Sequence, residues 1–112
     1  MKDILNAEKP PSHLSKEARR IWIQLCGTWN FENSPDALLV LRTGLESFDR
    51  LQQARKLIDS EGLTIKTKTA QGYEKIIKNP NLETEKQARA GVLQSFRMLG
   101  LDFENSGLKG RK

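Results

Sequence analysis

Apolar residues recur along this chain at two different periods, and the change of period marks out its elements. From Ala18 through Ile21, Trp22, Leu25, Cys26 and Trp29 the steps are of three and four residues, which places these side chains on one face of a helix. Lys16, Arg19, Arg20 and Gln24 fall on the opposite face, and Ser15 stands where an N-cap is expected. This first helix is predicted to run to about Trp29. The polar stretch before it, 1–14, carries Pro10-Pro11 and reads as an extended arm.

The stretch 34–62 predicts a second, long helix around which the rest is arranged. Ser34 can cap it, Pro35 suits its first position, and Asp36 faces the positive end of its dipole. Gly62 sits where a left-handed residue would end it. Leu38, Leu41, Leu45 and Phe48 make a helix–helix seam that Leu51, Ala54 and Ile58 continue at a drifted angle, while Leu39 and Leu57 lie off that line. Such a wide arc calls for cover from two sides. One cover is the first helix; the other is either the third helix or a neighbouring subunit. Gly44 in mid-helix marks either a close backbone approach or a tolerated defect.

After Gly62 the period becomes two. Leu63, Ile65, Thr67 and Thr69 alternate with Thr64, Lys66 and Lys68, a strand pattern rich in β-branched residues. With Ala70-Gln71-Gly72 as a turn, 73–77 forms a return strand or stays irregular, so a short hairpin is expected at about 63–78. A hairpin alone is marginal and must lean on a helix or another chain. Asn79 and Pro80 then open a third helix, with Leu82, Ala88, Val92, Leu93, Phe96 and Leu99 on one broad face and Gly100 as the stop. Leu101 and Phe103 are expected to pack back on the bundle, and 104–112 to form a basic tail. The fold class expected is mainly α: three helices with a long central one, a short β-hairpin between helices 2 and 3, and assembly into an oligomer. Residues 15–103 are its helical core.

A length of 112 residues fits one domain with a modest core. The single cysteine, Cys26, allows no disulfide within the sequence, and with one histidine, His13, no zinc cluster is expected. No apolar run suits a signal peptide or a membrane span, so a soluble, reducing compartment is the expectation.

The net charge of +5 is unevenly spread. Segment 21–62 is net −2, whereas 1–20 is +2 and 63–80 is +3; 81–100 and 101–112 are each +1. A polyanion would therefore meet the first helix's outer face (Lys16, Arg19, Arg20), the hairpin (Lys66, Lys68, Lys75, Lys78) or the tail (Lys109, Arg111, Lys112). Each group has a plainer reading: a solvated helix face, lysines that protect a strand edge from aggregation, a solubilising end. Asp49 beside Phe48 suits an interhelical or intersubunit ion pair, or a simple surface pair.

No Gly-rich phosphate loop is present, and the acids keep helical company with Arg and Lys, as on solvated faces. Cys26, Trp22 and Trp29 read as core or interface positions. No catalytic constellation assembles, no cofactor is called for, and the chain is not expected to be an enzyme.

The order of these elements resembles one family of tailed-phage terminase small subunits. Pro11, Leu14, Ser15, Ala18 and Trp22 match the family's "P-x-x-L-s-x-x-a-x-x-x-W" run after a proline-rich arm. Leu38, Leu39, Leu41, Phe48, Asp49, Gln53, Ala54 and Arg55 match its Leu-rich helix, and Leu57, Gly62 and Leu63 the run that follows. Asn79-Pro80 stands where the family often has His-Pro, and Leu99-Gly100-Leu101 matches the end of its last helix. The likeness covers nearly the whole chain through the order and spacing of individually weak motifs. It stops after Leu101, where Phe103-Glu104-Asn105 replaces a segment with Pro and Arg.

The resemblance implies a non-catalytic homo-oligomer, a ring, working in the host cell cytoplasm. It would bind double-stranded viral DNA to start packaging and regulate the large subunit that carries the ATPase and nuclease. A ring contact is head-to-tail and needs two apolar faces; Trp22, Trp29, Leu41, Leu45, Phe48, Leu51 and Ile58 are the interface candidates. The alternatives are a small helical transcriptional regulator, usually a dimer with an exposed recognition helix, and a structural adaptor without a nucleic-acid role.

Overall fold

The computed structural model describes residues 6–29, 31 and 34–100. Three helices, α1 (Lys16–Thr28), α2 (Pro35–Glu61) and α3 (Asn81–Met98), enclose in sequence a two-stranded hairpin, β1 (Thr64–Lys68) and β2 (Glu74–Lys78), between α2 and α3. The fold is mainly α, with a long central helix, as the periodicities predict. The expected returns of Leu101 and Phe103, and the tail from 104 onward, lie outside the described residues.

Local chemistry sets the helix ends. Ser15 caps α1, its hydroxyl accepting from the Ala18 N–H at 3.1 Å. Ser34 stands at the N-cap of α2, but its hydroxyl makes no capping bond; only its carbonyl serves, accepting from Leu38 at 3.1 Å. Gly62 ends α2 with φ 93° and ψ 177°. That is not the left-handed helical region expected but an extended conformation of positive φ, essentially reserved for glycine. It sends the chain from the helix straight into β1.

The core gathers Leu14, Ala18, Trp22, Phe31, Leu38, Leu41 and Leu45 around the N-terminal half of α2. The arm is folded onto it rather than extended away. Ala7 and Leu14 are buried, Asn6 and Lys9 form a β-bridge, and the Trp22 Nε1–H donates to the Ala7 carbonyl at 3.0 Å. Asp49 ties α1 to α2 through the cap and not through an ion pair: Ser15 donates to it from its N–H at 2.8 Å and from its hydroxyl at 2.5 Å.

The second cover of α2 is α3, running antiparallel within the same chain. Gly44 faces Ser95, Ser47 faces Gly91, and Arg55 meets Glu85 at 3.2 Å. A Cβ at Gly44 would lie 2.8 Å from the Ser95 Cβ, so this glycine permits a close helix approach. On α3 the face turned inward includes Ala88 and Ser95, while Leu93 is exposed.

These contacts correct the interface assignment. Trp22, Leu41 and Leu45 are each 0% exposed, and Leu51 is buried, so they belong to the subunit's own core and offer no surface to a second copy. Trp29, Phe48 and Ile58 are half-buried. Apolar periodicity identifies a covered face without saying whose atoms cover it.

Candidate nucleic-acid interface

The hairpin is held at its base by one buried side chain. Asn79 is 1% exposed. Its Nδ2 donates to the Gly62 carbonyl at 2.8 Å and to Glu61 at 3.1 Å, while its Oδ1 accepts from the Asn81 N–H at 2.9 Å. Its own N–H donates to the Leu63 carbonyl at 2.8 Å. The end of α2, both strands' bases and the start of α3 therefore meet at one amide. Pro80, not Asn79, stands at the N-cap of the third helix; Asn79, one residue earlier, binds the helix's first N–H and fixes where the hairpin leaves the body.

At the tip, the Thr69 N–H donates to the Tyr73 carbonyl at 2.8 Å, and Gly72 takes φ 92°. This is the short glycine-containing turn that Ala70-Gln71-Gly72 predicts. Closure at this pair sets the register: Lys68 opposite Glu74, Thr67 opposite Lys75, Lys66 opposite Ile76, Ile65 opposite Ile77 and Thr64 opposite Lys78. Tyr73 to Ile77 is a return strand through most of its length, not an irregular segment.

Because side chains alternate across a strand, the register sorts the ribbon into two faces. Thr64, Lys66, Lys68, Glu74, Ile76 and Lys78 share one, and all six are exposed. Ile65, Thr67, Lys75 and Ile77 share the other, where both isoleucines are half-buried. Three of the four hairpin lysines thus stand together, and Lys75 stands apart. None of the four forms an ion pair or a side-chain hydrogen bond with a described residue. Sequence reasoning named the lysines but missed Lys75's separation and the company of Ile76 and Glu74. Counting outward from the three-residue turn would have given both, since register alone decides the face.

The remaining basic candidates lie elsewhere. Ser15, at the head of α1, sits against Asp49, about 18 Å along the α2 axis from Glu61. Lys16 and Arg20 are exposed there, whereas Arg19 is half-buried and donates to the Ser12 carbonyl at 3.3 Å. The structure brings these three together and holds them apart from the hairpin. Lys109, Arg111 and Lys112 lie outside the described residues.

Comparison with family models, with curated proteins and with solved structures found no match. The chemistry of the site is therefore read from this chain alone. Among the described residues no group of three or more His, Cys, Asp or Glu could hold a metal ion, and no helix is long and apolar enough to cross a membrane. An open cleft is lined by His13, Leu14, Glu46, Asp49, Arg50 and Gln53. Its acids are engaged in holding the fold, Glu46 by His13 at 2.7 Å and Asp49 by Ser15. Cys26 is half-buried on α1.

Proposed function

We propose that this chain is a non-catalytic duplex-DNA-binding subunit of the terminase small-subunit kind. In that role it binds viral DNA at the start of packaging, acts as a homo-oligomeric ring in the host cell cytoplasm, and regulates a large subunit that carries the motor and nuclease. The observation that carries the DNA-binding part is the hairpin's open face. Lys66, Lys68 and Lys78 stand there without an ion pair to any described residue, on a ribbon anchored by the buried Asn79. Three ammonium groups on one face, none of them in an ion pair with a described residue, are a ready site for phosphates, whose counterions they displace. The packaging role and the ring rest on the order of motifs from Pro11 to Leu101.

Fluorescence anisotropy with a short duplex over a salt series tests the DNA reading. Affinity should fall steeply with salt. Changing Lys66, Lys68 and Lys78 together to Ala should flatten the log–log slope by roughly 0.9 for each phosphate that is no longer neutralised. Absent or salt-independent binding would remove the reading. Native mass spectrometry tests the assembly: a closed ring is expected, and a dimer points to a transcriptional regulator.

A further inference from the structure

We infer that the hairpin is a reading ribbon: its open face enters the major groove of B-form DNA and contacts base edges there. The inference rests on the duplex-binding reading above and deepens it. Three observations carry it together. First, all six side chains of the Thr64–Lys78 face are exposed, while on the opposite face Ile65 and Ile77 are half-buried, so only the first face is open along its whole length. Second, the dimensions fit one groove. Paired strands stand about 4.8 Å apart, and five residues span about 17 Å. The ribbon with its side chains therefore suits a major groove about 12 Å wide and is too broad for a minor groove of about 6 Å.

Third, the face carries more than phosphate chemistry. A surface that only tracks phosphates has no use for a carboxylate, yet Glu74 lies directly across from Lys68 without pairing to it. Nor does it need Ile76, 67% exposed, directly across from Lys66. In the major groove each of these has a partner. Lysine donates to guanine O6 and N7, glutamate accepts from the cytosine amino group, and an apolar side chain meets the thymine methyl. Thr64 can serve either a donor or an acceptor. Lys75, on the other face, points away from the groove floor and contributes at most a flanking charge.

The test uses the full chain and a randomised duplex pool. Selection should enrich a preferred sequence, and dimethyl sulfate footprinting of the selected duplex should show guanine N7 protected. Glu74→Gln and Ile76→Ala should each relax the preference at one position by about tenfold. Lys75→Ala should leave the preference unchanged. An RNA duplex of the same sequence should compete poorly, because the narrow A-form major groove excludes side chains. Protection of adenine N3, which lies in the minor groove, would overturn the inference. So would salt-sensitive binding without any enriched sequence, equal competition by RNA, or an unchanged preference in the Glu74 and Ile76 variants. In each of those cases duplex binding survives. Loss of all duplex binding by the unaltered chain would instead remove the parent reading along with this one.

Discussion

Beside the N-terminal half of α2, Trp22, Leu41 and Leu45 are closed off from water, and even the arm contributes Ala7 and Leu14 to the cover. Beyond the C-terminal end of the same helix, the hairpin buries almost nothing. Of its ten strand residues only Ile65 and Ile77 are half-covered, while Ile76 and the four lysines face solvent. One region spends its side chains on cohesion, the other presents them. The hairpin tolerates this because its shape depends on little beyond its ladder, its turn and the Asn79 hub at its base. Substitutions should therefore separate cleanly: large stability effects and no direct binding effect at one end, the reverse at the other.

The sharpest break of this contrast would be a mild effect of Trp22→Ala. The change empties a fully buried site and removes the indole donor to the Ala7 carbonyl. It should cost about 3–5 kcal/mol, a large part of a small domain's stability, in urea unfolding. Next comes Asp49→Ala. It strips the acceptor from the Ser15 N–H and hydroxyl, loosening the α1 cap and the join to α2 together. A loss of about 1–3 kcal/mol is expected, with Asp49→Asn recovering part of it.

Smaller still is Gly44→Ala. Its added methyl would lie 2.8 Å from the Ser95 Cβ, which cannot rotate away, so overpacking of about 1–3 kcal/mol outweighs a propensity gain of about 1 kcal/mol. Gly91→Ala faces the Ser47 hydroxyl at 2.9 Å instead, an atom that can turn aside. That variant should be nearly neutral, and Ser95→Gly should rescue Gly44→Ala in a double-mutant cycle.

Much of this frame is legible in the sequence, because caps and periods are local. Ser15 before a helical period, Gly62 before a strand period and Asn79 before α3 each act within a few residues. Ser34 shows the limit: a residue of the right type at the right position makes no side-chain cap. What periodicity cannot carry is the identity of a partner. The arc of α2 is legible, but that α3 covers it along an antiparallel seam depends on Gly44 and Gly91 meeting serines 51 and 44 residues away in sequence. For the same reason Trp22, Leu41 and Leu45 read equally well as interface and as core. The hairpin lysines are legible as a cluster, whereas their division into two faces needs the turn's closing pair.

The smallest stability effect is expected where the largest functional one is. Lys66, Lys68 and Lys78 are exposed and make no ion pair with a described residue. Replacing all three with Ala removes only side chains that reach into solvent and relieves mutual repulsion on one face. Unfolding should shift by no more than about 0.5 kcal/mol. Asn79→Ala makes the informative companion. It leaves every lysine in place but orphans the Gly62 carbonyl and the Asn81 N–H at the hairpin's base. If the direction in which the ribbon leaves the body matters for groove entry, this variant should weaken duplex binding with its lysine face intact. If it binds as the unaltered chain does while unfolding more easily, the hub serves cohesion alone. The boundary between the cohesive and the presenting region would then lie beyond Asn79, at Thr64 and Lys78.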